Sequence, residues 1–351
     1  MNEDPRPAAA AASRPARTAP APNSPEAAGA EPTRSGLEHL ARRLLVPAVL
    51  ALAALVALTF FADARELAAR LGEFDPWLLA PVLALSLVNY ALRWVRWELY
   101  LRRLGSRLPV AVSVAILLAG FVLSITPGKA GELGKAWLVR ECGGGPALRV
   151  VPAVLAERVT DLLGVVLLTA LGALALPGGG WIAAAGVAAV AAAVALVAWS
   201  AAARRLFALL ARLPRLAPRV HHLEALYADL RRLLTAGPLA AGLALATVAW
   251  GAEGVGFLLV VRDYAPAAGL LRAVFDYSAS TLAGALSMLP GGLLAAEGSL
   301  AALLGTQGLD PAAAASATLI IRAATLWFAV GLGLLALPWL LRVVRRRAAR
   351  P

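Results

Sequence analysis

Long apolar segments dominate the pattern of hydrophobic and polar positions along this chain. They reach about 18 residues or more with few charges, the length that an α-helix needs to cross roughly 30 Å of hydrocarbon. The shorter alternating segments of a transmembrane barrel are absent from the sequence. The pattern therefore predicts an all-α, polytopic integral membrane protein with about six full spans, at 44–61, 76–94, 149–176, 181–202, 238–261 and 312–341.

Composition agrees with this pattern, since 60% of the 351 residues are hydrophobic and 15% are charged. The net charge of +12 does not indicate a nucleic-acid partner, because the arginines stand mainly where apolar segments end. That placement is typical of cytoplasmic loops and of contact with anionic lipid headgroups. The single cysteine, Cys142, excludes an intrachain disulfide, and the histidines form no metal-ligand pattern, so we expect no metal and no cofactor.

Arginine distribution also predicts the orientation. Three arginine-rich stretches are expected on the cytoplasmic side: a loop that begins at Arg93, an amphipathic segment at 203–236, and the C-terminal "RVVRRRAARP". The N-terminus then lies on the same side. Residues 1–36, rich in Ala, Pro and Arg, lack the apolar core of a signal peptide and are expected to form a disordered cytoplasmic tail.

Two apolar stretches must begin and end on the same side to satisfy this orientation. Residues 110–141 start and finish in the cytoplasm and contain "SITPGKAGELGKAW", whereas 266–308 start and finish outside and contain "MLPGGLLAAEG". We therefore predict two re-entrant helical hairpins, although two kinked helices are the simpler alternative. The residues expected to break the helices are Pro127, Gly128, Gly131, Pro290, Gly291 and Gly292.

With these hairpins, residues 76–176 and 238–341 follow the same plan of span, hairpin and span in opposite orientations. Inverted repeats whose discontinuous helices meet near the midplane are typical of transporters. Irregular backbone at membrane depth is tolerated where protein or a water-filled cavity covers it. The repeat therefore predicts an internal polar cavity.

Charged residues follow both breaks at matching distances. Arg158 comes 26 residues after Glu132, and Arg322 comes 25 residues after Glu297. A charge near the bilayer centre costs about 2.5–3.5 kcal/mol, so such residues normally face a cavity or a partner. The alternative is that these pairs only hold helices together. The predicted substrate-binding residues are Lys129, Glu132, Arg158, Asp161, Glu297 and Arg322.

Other polar residues are ranked lower. Lys135 is expected nearer the cytoplasmic interface than Lys129. Glu253 and Asn89 are isolated in apolar surroundings, and Asp276 and Tyr277 are expected at the outer end of the second hairpin.

The motifs "SITPGKAGELGKAWLVRE", "LAERVTDLLG", "MLPGGLLAAEGSLAALL" and "TLIIRAATLWFAVGLGLL" resemble, in this order, the lysylphosphatidylglycerol synthase transmembrane-region family, whose members are flippase-like. The resemblance implies a flippase-like transmembrane domain at 37–345 that uses the polar residues named above. The best-known members join this domain to an aminoacyl-transferase domain that makes lysylphosphatidylglycerol. The 351 residues contain no such segment, so the resemblance implies the flipping half and not an enzyme.

We therefore expect a lipid translocase in the cytoplasmic (inner) membrane of a prokaryote. Its substrate would be a phosphate-bearing lipid: a phospholipid, an aminoacyl-phospholipid or a polyprenyl-phosphate-linked lipid. Its partners would be lipids with anionic or zwitterionic headgroups, with a lipid-synthesising enzyme or a second copy as further candidates. No Walker sequence is present, so flipping would be passive or driven by an ion gradient or the membrane potential. One alternative is a lipid-modifying enzyme, or a membrane subunit of a lipid-modifying or glycosyl-transfer pathway without transport activity of its own. Another is a scaffold.

Overall fold

A computed structural model describes residues 64–198, 205, 209 and 217–348. Within these ranges the chain is helical and contains no strand, as the sequence predicts. The tail at 1–36 and the predicted span at 44–61 lie outside the described residues. The helices are α1 (Ala64–Glu73), α2 (Leu79–Arg103), α3 (Val110–Leu123), α4 (Gly134–Glu141), α5 (Ala147–Ala173), α6 (Gly180–Ala198), α7 (Ala217–Leu233), α8 (Ala236–Tyr264), α9 (Leu270–Leu286), α10 (Ala295–Gly305), α11 (Pro311–Arg322) and α12 (Phe328–Ala348).

Within the described ranges, three helical segments are long and apolar enough to cross a membrane: Pro76–Arg103, Ala236–Tyr264 and Pro311–Arg347. Helix α5 has 27 residues and is also long enough, but it carries charged residues in its middle. Helix α3 and the part of α6 up to Ala195 are apolar and shorter. These helices are those of a membrane protein. The full count of six spans stays a prediction.

The predicted loop that begins at Arg93 is wrong, because α2 continues to Arg103. A 3₁₀ turn at Pro76–Leu78 leads into α2. Asp75 caps this turn, since its side chain accepts a hydrogen bond from Trp77 N (3.0 Å), and Pro76 occupies the first position. Tryptophan and tyrosine side chains from its second half, Trp97 and Tyr100, are fully buried. Apolar packing around the arginines therefore keeps this stretch helical.

Two helices are interrupted where the sequence predicts breaks. In the first broken-helix unit (residues 110–141), a 3₁₀ segment at Pro127–Leu133 separates α3 from α4. In the second broken-helix unit (residues 270–305), the break contains the short 3₁₀ turn Pro290–Gly292 and separates α9 from α10. The two arms of each unit pack against each other, and the two breaks are in contact.

Glycines in both breaks allow close approach of backbone segments. A Cβ on Gly131 would lie 2.6 Å from the carbonyl oxygen of Leu123, and the Gly131 amide donates a hydrogen bond to Thr126 Oγ1 (2.6 Å). Gly292 has a φ of 68°, and a Cβ there would lie 3.0 Å from Gly284 Cα. Both breaks therefore depend on close backbone approach, which a larger residue would prevent.

Helix packing links the two halves of the chain. Helix α2 packs along α8, α3 packs along α12, and α9 packs along α5. In addition, α4 contacts α5 and α10 contacts α11. Each unit therefore lies against a long helix of the other half. Of the predicted amphipathic segment at 203–236, the structure describes chiefly α7, where Val220 and Leu233 are buried.

Candidate functional site

A network of buried charges lies where the first unit meets α5. The Arg158 guanidinium pairs with Glu132 Oε2 (3.2 Å) and with Asp161 Oδ2 (2.8 Å). Lys135 Nζ lies 3.8 Å from Glu132 Oε2 and donates a hydrogen bond to Glu157 Oε2 (2.5 Å). The structure thus brings together three of the predicted residues (Glu132, Arg158 and Asp161) and adds two that the prediction left out. We call this set, with Arg93 and Arg96, the first charge network.

Lys135 is the clearest addition. The sequence analysis placed it towards the cytoplasmic interface, whereas its side chain is buried inside the protein. Its ammonium group lies 4.7 Å from the centre of the Trp97 ring, a cation–π arrangement. Its stem crosses α3 at Gly120, where a Cβ would come within 2.6 Å of Lys135 Cδ. Spacing along the sequence could not reveal a contact that depends on three separate helices.

Asp161 joins the first charge network to α2. Its carboxylate pairs with Arg96 Nη2 (2.6 Å), lies 3.7 Å from Arg93 Nη2, and accepts a hydrogen bond from Trp250 Nε1 (3.1 Å). Arg96 is fully buried. The sequence analysis had assigned both arginines to a loop. Their spacing of three residues among tryptophans was the available signal for one buried helix face.

The first charge network contains more cations than anions. Its described members are four cations and three carboxylates, which leaves one positive charge in excess. Most are almost inaccessible, but 22% of the Arg158 side chain and 11% of the Arg93 side chain are exposed. Arg158 and Arg93 are therefore the most exposed members of the network. The cations are Arg93, Arg96, Lys135 and Arg158, and the carboxylates are Glu132, Glu157 and Asp161.

A single buried pair lies at the second break. Arg322 Nε donates to Glu297 Oε1 (2.6 Å), and Arg322 Nη2 donates to the carbonyl oxygen of Gly291 (3.1 Å). The guanidinium thus ties α11 to the break itself and to the first turn of α10. A π-helical turn, Ala323–Trp327, follows Arg322 directly, a feature often found at functional sites. The Arg322 side chain is 15% exposed.

Of the remaining polar residues that the sequence singled out, Lys129 cannot be placed, whereas Asp276 and Tyr277 can. The side chain of Lys129 lies outside the described residues, so its role stays a prediction. Asp276 accepts hydrogen bonds from Arg272 (3.0 Å) and Gln307 (2.6 Å) and so links the first turns of α9 to the end of α10. Tyr277 is turned to the interior, where its hydroxyl donates to Glu253 Oε2 (2.6 Å).

Comparison with known proteins identifies the family. Residues 48–333 match the family model described as the lysylphosphatidylglycerol synthase TM region. The chain belongs to this family. The predicted resemblance is therefore confirmed, and the match covers most of the chain.

A curated relative points to a different activity. Glycosyltransferase AglD of Haloferax volcanii is 30% identical over 128 residues, which are 36% of this chain. The match spans 20% of the length of that protein. Together with the family, this similarity connects the chain to lipid or glycosyl pathways in membranes.

Proposed function

We propose that this protein is a lipid translocase that moves a phosphate-bearing lipid across the cytoplasmic membrane, and that it is not itself an enzyme. The observation that carries the proposal is the first charge network, a buried group of charges with one cation in excess, next to a break in the helices. A buried excess cation is costly in an apolar medium unless an anion compensates it. A lipid phosphate is an anion that a membrane supplies.

Accessibility favours Arg158 and Arg322 as the phosphate contacts. Both lie at the exposed edge of otherwise buried charges. A guanidinium can form two parallel hydrogen bonds to a phosphate, which suits recognition of a headgroup whose acyl chains stay in the membrane. When no lipid is bound, Glu132 and Asp161 would pair with Arg158, and Glu297 would pair with Arg322.

The packing of helices supports an inverted repeat of 76–176 and 238–341. If α2 corresponds to α8, α3 to α9 and α5 to the α11–α12 segment, the packing of α3 on α12 is the counterpart of the packing of α9 on α5. The contact between α4 and α5 likewise corresponds to that between α10 and α11. Two re-entrant hairpins whose breaks meet would place both sets of charges on one polar path near the midplane.

The orientation and the partners follow the same proposal. Both termini would face the cytoplasm of a prokaryote, and the arginine-rich segment at 203–236 would lie on the anionic inner surface. The lipids carried would have anionic or zwitterionic headgroups, and a lipid-synthesising enzyme or a second copy could bind alongside.

Exchange of labelled lipid in proteoliposomes tests this function. We expect Arg158→Gln to slow the transbilayer exchange of fluorescent phosphatidylglycerol about 10- to 100-fold, since one charged hydrogen bond is worth about 1.5–3 kcal/mol. Arg140→Gln is the matched control, because Arg140 lies on α4 with 65% of its side chain exposed. Equal rates for the two variants and the wild type would contradict the proposal.

The similarity to AglD favours one alternative, a membrane subunit of a glycosyl-transfer pathway without transport activity. Mass spectrometry of the same vesicles distinguishes the two functions. A chemically altered polyprenyl-phosphate lipid, formed with a sugar donor and without exchange, would support the alternative. Exchange of unaltered lipid would support translocation.

A further inference from the structure

Glu253, in the middle of α8, differs from every other buried acid in the described residues. Seven acidic side chains are buried there, and six of them have a basic nitrogen within 4.0 Å. Among the residues that the structure describes, Glu253 has no such nitrogen at that distance, and its carboxylate instead accepts the hydrogen bond donated by Tyr277. The six paired acids are Glu98, Glu132, Glu157, Asp161, Asp276 and Glu297.

The groups around Glu253 belong to both halves of the molecule. Its carboxylate lies within electrostatic range of Arg93 on α2 and of Arg322 on α11. One helical turn earlier on α8, the carbonyl oxygen of Ala249 accepts a hydrogen bond from Asn89 (2.9 Å). Glu253 is therefore within the electrostatic influence of both the first charge network and the Glu297–Arg322 pair. The titratable or charged groups that face it are Tyr90 and Arg93 from α2, Asp161 from α5, Tyr277 from α9 and Arg322 from α11.

The balance of charges gives the Glu253 carboxyl group two states, one ionised and one protonated. The first charge network has one positive charge in excess, and the Glu297–Arg322 pair is neutral. An ionised Glu253 cancels the excess when no lipid is bound. When a lipid phosphate takes over the excess cation, the same carboxylate becomes a buried negative charge without compensation. Binding a proton then removes that charge.

We propose that Glu253 is a proton-binding site that is filled when an anionic lipid headgroup binds, so that proton and lipid cross the bilayer together. This inference rests on the proposed lipid translocase. The proton is taken from water on the side where the lipid enters and returns to water where the lipid leaves. The carboxylate is unchanged after each cycle, and the headgroup with its proton carries no net charge.

Proton uptake on binding tests the site directly. Phosphatidylglycerol is added to the protein in detergent and weak buffer, and a pH-sensitive dye reports the protons that the protein takes up. Lipid binding is measured in a separate assay. Both measurements are repeated from about pH 5 to pH 9. The wild type should take up about one proton per bound lipid near the pH of greatest uptake, and Glu253→Gln should bind lipid and take up none. Glu73→Gln, at an exposed acid outside these networks, is the matched control and should behave as the wild type.

Comparing two lipids, one neutral and one anionic, distinguishes a failure of the proton site from a failure of the proposed translocase. Phosphatidylethanolamine, whose headgroup has no net charge, should bind without proton uptake. Phosphatidylglycerol binding by the wild type without proton uptake would overturn the proton site and leave the translocase standing. Failure to bind any phosphate-bearing lipid would overturn the translocase and the proton site with it.

A pH gradient across proteoliposomes gives a second readout. Protons flow from the acidic to the alkaline side, so labelled phosphatidylglycerol should accumulate in the leaflet on the alkaline side with wild-type protein. Glu253→Gln should still exchange the lipid but leave it evenly distributed. A gradient response that persists in Glu253→Gln would overturn the proposal.

Discussion

The two broken-helix units share a plan but hold their charges in different ways. In the first unit, Glu132 lies within the break and Lys135 follows it, and both join a network of seven charged side chains that reaches α2 and α5. In the second unit, the charge at the break is the single pair Glu297–Arg322. A further clamp, Asp276 with Arg272 and Gln307, ties its two arms together away from the break. Among the described residues, similar backbones thus hold a partly exposed excess charge in one half and a neutral pair in the other.

The largest difference in unfolding free energy between the two units should appear when one acidic side chain is replaced by its amide. Asp161→Asn leaves Arg93, Arg96 and Arg158 close together without their shared carboxylate, and we expect a loss of about 3–5 kcal/mol in unfolding free energy. Glu297→Gln should cost about 1–3 kcal/mol, because Arg322 keeps the Gly291 carbonyl and is partly exposed. Denaturant unfolding in detergent measures both. Equal losses would show that the seven charges do not act as a network.

The clamp of the second unit should give the next largest effect. Asp276→Asn removes the carboxylate that binds Arg272 and Gln307, so the ends of α9 and α10 should exchange their amide hydrogens faster while the break itself changes little. We expect a loss of about 1–3 kcal/mol in local stability. Asp229→Asn on α7, an acid paired with the exposed Arg232, provides the control. Faster exchange at the break in place of the arm ends would contradict this role.

Matched glycine substitutions should give the smallest contrast. Gly120→Ala in the first unit forces a methyl group against Lys135 and should cost about 1–3 kcal/mol of unfolding free energy. Gly298→Ala in the second unit meets open space and should stabilise its helix by about 0.5–1 kcal/mol. Thermal unfolding of the two variants measures the difference. A neutral Gly120→Ala would mean that Lys135 can reach Glu157 by another route.

Periodicity and helix breakers predicted the helical class, the long apolar helices and both interruptions, because these features depend on local sequence. The Glu297–Arg322 pair and the Arg158–Asp161 pair could also be predicted from the sequence. Each depends only on the positions of residues along one or two helices. Arg96 was missed because arginines near the end of an apolar segment were assigned to a loop. The helix continues to Arg103, and the side chains of Trp97 and Tyr100 are fully buried.

Contacts that join distant helices could not be predicted. The path of Lys135 past Gly120 to Glu157, and the hydrogen bond from Tyr277 to Glu253, each require the relative placement of separate helices. The sequence identified Glu253 as isolated in an apolar segment. The fold brings it within electrostatic range of both Arg93 and Arg322.

The most direct test of the central claim is phosphatidylglycerol exchange by Arg158→Gln, Arg322→Gln and the double variant in proteoliposomes. If both arginines contact one lipid phosphate on one path, each single variant should lose about 10-fold or more in rate, and the double variant should lose less than the product of the two losses. Arg140→Gln should exchange at the wild-type rate. Wild-type rates in both single variants, with intact folding, would contradict the claim that these buried charges carry the lipid.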